Sequence, residues 1–316
     1  MTSHTQPLPA SPISAGLTAW REAGPLRLLT WPALDASGAD AAVTARYGGV
    51  SSGVYTSLNL SLSVGDDPAA VLENRRRLAA GFGARPADFV FAGQVHGADV
   101  RVVGEADRGR GAFSLDDAVP ATDALVTSSP GVVLAILTAD CVPIVLHDPV
   151  AGVLACVHAG WRGTVARVSA AAVAAMQTLG SRPADVIAGI GPAILAARYQ
   201  VGPDVYQAVT QAFGPAPLIQ PDAVPDRWRL DLWSANRFVL TEAGVPPRHI
   251  HITEIPTGPT GPTGPLGHAD SADSADSAGP TGPTEPARPG YFFSDRSARP
   301  CGRLALIARL RTGGNR

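Results

Sequence analysis

A chain of 316 residues with 45% hydrophobic content can bury a substantial core, in one large domain or two small ones. Its 25 basic and 27 acidic residues leave a net charge of −2 and a pI near 6.4, which gives no electrostatic basis for binding nucleic acid. All 25 bases are Arg. With no Lys in the chain, Schiff-base catalysis, pyridoxal phosphate anchoring and the Walker phosphate loop are excluded, and any phosphate must be gripped by guanidinium forks and backbone donors.

Taken in chain order, residues 1–24 read as a flexible tail. The first twenty are rich in Ser, Pro and Thr, and lack the basic start and apolar core of a signal peptide. No later run reaches the length of a membrane span, so no membrane partner is expected. Three widely spaced cysteines suit a reducing compartment, which points to the cytoplasm. Gly49-Val50-Ser51-Ser52-Gly53 matches a nucleophile-elbow pattern, but Val54-Tyr55-Thr56 after it favour extended structure where an elbow needs a helix. The better use of that glycine-rich stretch is close backbone approach to a ligand. Asp67-Pro68 supplies an N-cap and a first-turn proline, and Gly81 ends the helix they open. The charges of Arg75-Arg76-Arg77 on it read as solvated.

Residues 132–137 and 152–157 are short apolar runs that predict buried strands. The first runs into Ala139-Asp140-Cys141-Val142-Pro143 and the second into His158-Ala159-Gly160-Trp161-Arg162-Gly163. Val165, Val168, Ala172, Met176 and Leu179 recur at helical spacing over 164–179, which places Arg162 beside a helix N-terminus where an anion is favoured. Pro203 opens another helix through Val205, Tyr206, Val209 and Phe213. His249-Ile250-His251 is the one His-x-His pair and reads as one face of a surface strand. Over 257–290 the sequence turns into Gly-Pro-Thr and Ala-Asp-Ser repeats that cannot bury enough apolar surface to offset ordering entropy, so a disordered insertion is expected. Strand-like character resumes at 291–294 and 304–308, so the insertion interrupts a single catalytic domain over 25–310, followed by a tail at 311–316. The pattern is mixed α and β.

The chemistry-bearing residues are His96, in Gln94-Val95-His96-Gly97, together with Cys141 and His158. Two imidazoles and a thiolate form a three-ligand set, the number that leaves a metal position open for water or substrate. Cys156, two residues before His158 among small apolar neighbours, is a core thiol. Arg46 and Arg162 are the natural phosphate ligands. Asn59 could hydrogen-bond a ribose hydroxyl or the base edge, or serve a turn through its own backbone; Asp140 is either a proton shuttle or a turn residue closing the strand end. The same Cys and His residues fit a thiolate–imidazolium pair of a cysteine-type amide hydrolase. A four-copper oxidase needs more imidazoles than the seven His residues supply. Binding of a nucleoside without turnover is a further reading.

These islands, with Arg46-Tyr47-Gly48-Gly49-Val50-Ser51 and Ser57-Leu58-Asn59-Leu60, resemble the multicopper polyphenol oxidase (laccase-domain) family, also called peptidoglycan editing factor, whose members are described as purine nucleoside phosphorylases. The resemblance runs from about Leu28 to Ile255 and resumes from Tyr291 to Leu310. It implies an α+β fold, a four-layer α/β/β/α sandwich with mixed sheets. It also implies zinc on His96, Cys141 and His158. The activity it implies is phosphorolysis of adenosine, inosine and S-methyl-5'-thioadenosine to free base and pentose 1-phosphate, with adenosine deamination alongside. Copper-dependent polyphenol oxidation and peptidoglycan editing are also attributed to the family; with copper, phenol oxidation would follow from metal substitution at the single site. The His-x-Glu shuttle of base deaminases is absent, so deamination needs another acid and base. The chain departs from the family at 190–194, which lacks a cysteine pair often found there, and at Thr253-Glu254, where Thr-Cys is common. The expected partners are a purine nucleoside and phosphate; the sequence carries no signal for an oligomeric state.

Overall fold

The structure, a computed structural model, describes residues 17–214, 216–259 and 290–311. Its strands are β1 (Ala19–Ala23), β2 (Leu26–Thr30), β3 (Ala39–Thr44), β4 (Phe89–Phe91), β5 (Val100–Val102), β6 (Ala124–Thr127), β7 (Val133–Thr138), β8 (Val142–Asp148), β9 (Val153–Ala159), β10 (Ile187–Ile190), β11 (Gln200–Val201), β12 (Ile219–Pro221), β13 (Trp228–Leu230), β14 (Ile250–Ile252) and β15 (Leu304–Leu310). The helices are α1 (Pro32–Ser37), α2 (Pro68–Gly81), α3 (Trp161–Val165), α4 (Val168–Thr178), α5 (Pro203–Phe213) and α6 (Leu232–Glu242).

Two six-stranded mixed sheets carry the fold, in the orders β1-β2-β3-β15-β7-β4 and β14-β10-β8-β9-β6-β5, with a small β11-β13-β12 sheet beside them. Strand alternation makes the layers. In β9, Val153, Ala155 and Val157 point into a core shared with α4, α5 and α6, whereas Leu154 and Cys156 point into a second core shared with Leu134 of β7 and Leu306 of β15. That second core lies between the large sheets, and a third packs Leu78 of α2 against Val133, Ala135 and Ile307 on the far face of the first sheet. The result is α2, sheet, sheet, then the α3–α6 layer, the four-layer α+β sandwich.

Helix α2 begins as its sequence requires. Pro68 occupies its first turn and the Asp67 carboxylate accepts the Ala69 N–H at 3.0 Å. The single helix expected over 164–179 is instead two, because Arg167 stands in the left-handed region at φ 62° and breaks the run between α3 and α4. Arg75 is not solvated; it is 4% exposed, stacks on Phe91 and donates to the carbonyls of Leu60, Gly111 and Ala112. Residues 291–294 form no strand, although Tyr291, Phe292 and Phe293 are buried between the sheets. Gly53–Tyr55 is a 3-10 turn, not extended chain. The close approach at the glycine-rich stretch is to the protein itself, since a Cβ on Gly49 would stand 2.0 Å from the Ser57 carbonyl oxygen. The tail expected over 1–24 overlaps β1. Most of the 257–290 insertion and all but Arg311 of the 311–316 tail lie outside the described residues.

Candidate active site

Register sets the site. Strands β8 and β9 pair antiparallel with Val142 opposite Ala159 and Pro143 opposite His158, so Cys141 comes level with Gly160 just beyond the last ladder pair. His147, Val145, Pro143 and Cys141 share one face of β8 by alternation, and Leu154, Cys156 and His158 share one face of β9. Both faces look between the sheets, which places the thiol and the imidazole at the end of the sandwich. His96 arrives from the other sheet, in the loop after β4. The ligand atoms of His96, Cys141 and His158 lie within 4.8 Å of one another, and the two imidazoles meet edge to face at 4.8 Å between centroids.

Asp123, one residue before β6, organises two of the three. Its Oδ1 lies 2.7 Å from His158 Nδ1 and accepts the His96 N–H at 3.0 Å, while Oδ2 accepts the N–H groups of Val95 and Gly97 at 3.2 and 2.7 Å. The first bond fixes the proton of His158 on Nδ1 and leaves Nε2 as the free donor, the arrangement typical of metal-ligating histidines. The other three hold the 95–97 turn, in which His96 is left-handed at φ 61°. Gln94 joins the same loop to β7, donating to the Leu137 carbonyl at 2.7 Å and accepting the Leu137 N–H at 2.8 Å. Gly160 is needed for space, because a Cβ there would stand 2.9 Å from Cys141 Sγ and 3.2 Å from His96 Cδ2.

Burial alone would raise the Cys141 thiol, but the charge of His158 and hydrogen bonds from His158 and His96 bring it well below the usual thiol range. Burial would lower His158, and the Cys141 thiolate and Asp123 reverse that and raise it. The pair is therefore a thiolate beside an imidazolium whose proton a cation can replace. Cys156 is fully buried and burial pushes its thiol up, as a core thiol requires. Two borderline-soft nitrogen donors and one thiolate fit a zinc or copper ion with an open position. Among the described residues this is the one cluster of three such donors, so the inventory suits one ion and not a multi-copper centre.

The cluster opens into a cavity of about 820 Å³. Trp161, Tyr199 and Ile194 line it, with Gln94, Thr138 and Asp140 and with four guanidinium groups, Arg162, Arg296, Arg299 and Arg303. Arg162 stacks on Trp161 at 4.5 Å, and Arg299 and Arg303 share the Asp295 carboxylate. Arg162 is the second residue of the five-residue α3 and does not precede a helix over 164–179 as expected. Arg46 does not line the cavity; its Nε and Nη2 donate to the Thr56 carbonyl at 3.0 and 2.8 Å, and it stacks on Phe293 at 4.5 Å. Asn59 is fully buried away from the lining, donating to Ser61 O and Asp66 Oδ2 and accepting the N–H groups of Ser61 and Arg303. Asp140 sits on the wall, but its carboxylate accepts the Thr257 hydroxyl at 2.5 Å and the Arg296 N–H at 2.7 Å. Asp123, Gln94 and the arginines after the insertion escaped the sequence reading. The run Ser294–Arg303, with three Arg in a chain without Lys, is the signal that could have found the last of these. A second cavity, about 470 Å³ beside β12, pairs Arg229 with Asp222, while its Asp231 accepts from Ser234 as the cap of α6.

The family model described as multi-copper polyphenol oxidoreductase laccase matches residues 40–260. A purine nucleoside phosphorylase, YlmD of Geobacillus stearothermophilus, is 42% identical over 220 residues, covering 69% of this chain and 80% of that one. A protein from an unknown prokaryotic organism named adenosine deaminase RL5 is 39% identical over 197 residues, 62% of this chain and 75% of its own. The crystal structure of YlmD from Geobacillus stearothermophilus superposes with a TM-score of 0.79 at 35% identity, covering 94% of this chain and all of the other.

Proposed function

The chain belongs to the multi-copper polyphenol oxidoreductase laccase family, and on that premise we propose that it is a zinc-dependent purine nucleoside phosphorylase with adenosine deaminase activity. Its substrates are adenosine, inosine and S-methyl-5'-thioadenosine, cleaved with phosphate to the free base and a pentose 1-phosphate. The observation that carries the reading is the meeting of a three-donor cluster with four arginines in one cavity, whose volume of about 820 Å³ lies inside the range of roughly 300–1,000 Å³ usual for small-molecule sites.

Phosphorolysis needs an anion brought in line with the anomeric carbon while the purine leaves with a proton. Guanidinium forks bind such an anion in two-point, charge-assisted fashion, and without Lys they are the only side chains able to do so. Arg162, an exposed residue of the cavity wall, takes this part, with Arg296 lining the same cavity from the segment after the insertion. Trp161 and Tyr199 offer apolar faces for the base. His96, Cys141 and His158 hold the ion, with Asp123 keeping the His158 proton on Nδ1. Zinc bound there supplies Lewis acidity, which polarises oxygen and makes water acidic enough to act as a nucleophile near neutral pH. Copper substituted on the same donors would supply redox chemistry in place of Lewis acidity.

The test is product chromatography after zinc-loaded protein meets adenosine with and without phosphate. Adenine formed only with phosphate is the expected result, and inosine in both samples adds deamination. No product in either, repeated with inosine and methylthioadenosine, overturns the reading. The thiolate–imidazolium pair of Cys141 and His158 favours one rival, an amide hydrolase with Cys141 as nucleophile. A thiol enzyme of that kind survives a chelator that abolishes a zinc enzyme.

A further inference from the structure

We infer that Asp140 is a positioning residue which, with Asn59 at the other end, clamps the Ser294–Arg303 segment so that its arginines line the cavity of the three-donor cluster; this rests on the phosphorylase reading above. The chain passes from the first sheet to the second through Ala139-Asp140-Cys141, between β7 and β8, and Asp140 makes the turn with φ 87°. Its carbonyl accepts the Ile194 N–H at 3.0 Å, fixing the backbone, and its buried carboxylate then faces the two flanks of the insertion. Oδ1 accepts the hydroxyl of Thr257, at the start of the insertion, and Oδ2 accepts the N–H of Arg296, beyond its end. The flanks meet at that point, since a Cβ on Gly290 would lie 1.8 Å from the Gly258 carbonyl oxygen.

The far end of the segment is tied in the same way. Asn59 Oδ1 accepts the Arg303 N–H at 2.9 Å, and the Leu60 N–H donates to the Arg303 carbonyl at 3.2 Å. Between the two ties, Asp295 Oδ2 holds Arg299 at 2.6 Å and Oδ1 holds Arg303 at 3.0 Å, while Arg296 lies against Tyr199 and donates to the Gln200 carbonyl. The segment carries three of the cavity's four arginines on a stretch with no strand or helix of its own. Its shape therefore depends on side chains that reach it from elsewhere, and both carboxylate oxygens of Asp140 are engaged by these flanks.

Asp140→Asn replaces one of the two acceptor oxygens with an NH2 group and removes the charge behind both bonds. In the zinc-loaded full chain the expected result is faster hydrogen exchange in peptides spanning 290–303 with a full zinc content. The phosphate KM should rise about tenfold, the effect of losing one charge-assisted hydrogen bond, with kcat and the pH profile little changed. Thr257→Val and Asn59→Ser, one at each tie, should raise the phosphate KM in the same direction and serve if the first variant does not fold. Titration of inorganic phosphate by calorimetry reads the same loss without turnover. Unchanged exchange and phosphate affinity overturn the clamp. So does a hundredfold fall in kcat at unchanged phosphate KM with a displaced pH profile, the mark of a proton shuttle. If the wild type performs no phosphorolysis, exchange and calorimetry still decide on the clamp, so the two proposals fail separately.

Discussion

At the scale of residues, the cluster depends on a few groups with no slack. Cys141→Ala removes the one thiolate donor, so zinc content and turnover should vanish together, read by metal analysis and product assay; turnover with no bound metal would sink the zinc reading. Asp123→Asn keeps the volume but exchanges an acceptor for an amide that cannot accept from three backbone N–H groups and a ring nitrogen at once. Zinc affinity should fall about 10- to 100-fold, measured by competition with a chromophoric chelator. The two variants also show what the sequence could disclose. His96, Cys141 and His158 are legible because their residue types are rare and chemically specific. Asp123 is not, because an Asp at a strand end is ordinary, and only the fold brings it 2.7 Å from His158, 35 residues away.

Elements explain why the three donors converge, and why some expectations fell short. The alternation of β9 is legible, since Val153, Ala155 and Val157 read as one face and Leu154, Cys156 and His158 as the other. The Arg167 break between α3 and α4 is not, because its neighbours all suit a helix and the left-handed residue is imposed by tertiary packing, with its guanidinium paired to Glu242 and lying over Phe213. Asn59 and Asp140 were recognisable as special positions, but their partners in the 294–303 segment are more than 150 residues distant. Strand β10 offers a test of packing at this scale. Gly189 lies against the Trp31 indole, and a Cβ there would come 2.8 Å from the ring and 2.9 Å from Val145 Cγ1. Gly189→Ala should cost about 1–3 kcal/mol through overpacking, seen as a lower urea midpoint at unchanged m-value.

For the whole molecule, the sandwich buries a histidine that water would charge. His147 on β8 is 2% exposed, its Nδ1 lies 2.9 Å from Ser37 Oγ of α1, and burial lowers it to about 4 against the partial opposition of Asp148. The unfolded chain takes up this proton near pH 6.5 and the folded one only near 4, so the unfolded state binds more protons between those values. Stability is fully present above about pH 6.5 and falls as pH drops toward 4, by about 3 kcal/mol for this group. Urea unfolding from pH 7 to 4 should show that limb, and His147→Gln should flatten it. The layer order itself was legible only through family resemblance, since periodicity marks which face of a strand is buried without saying against which sheet. Among the described residues, no helix is long and apolar enough to cross a membrane.

The contact of Gly258 with Gly290 has a consequence for how such a chain can change over generations. A stretch that departs and returns at one point imposes no span on what lies between. Its length can drift by duplication of short triplets at a closure cost of only about 0.6 kcal/mol per doubling. Excision of residues 260–289 with a two-glycine splice should therefore leave the melting temperature and zinc content close to those of the parent. By the same logic the port would accept a folded passenger such as a fluorescent reporter, and the repeats stand where evolution could add or erase material without renegotiating the sandwich.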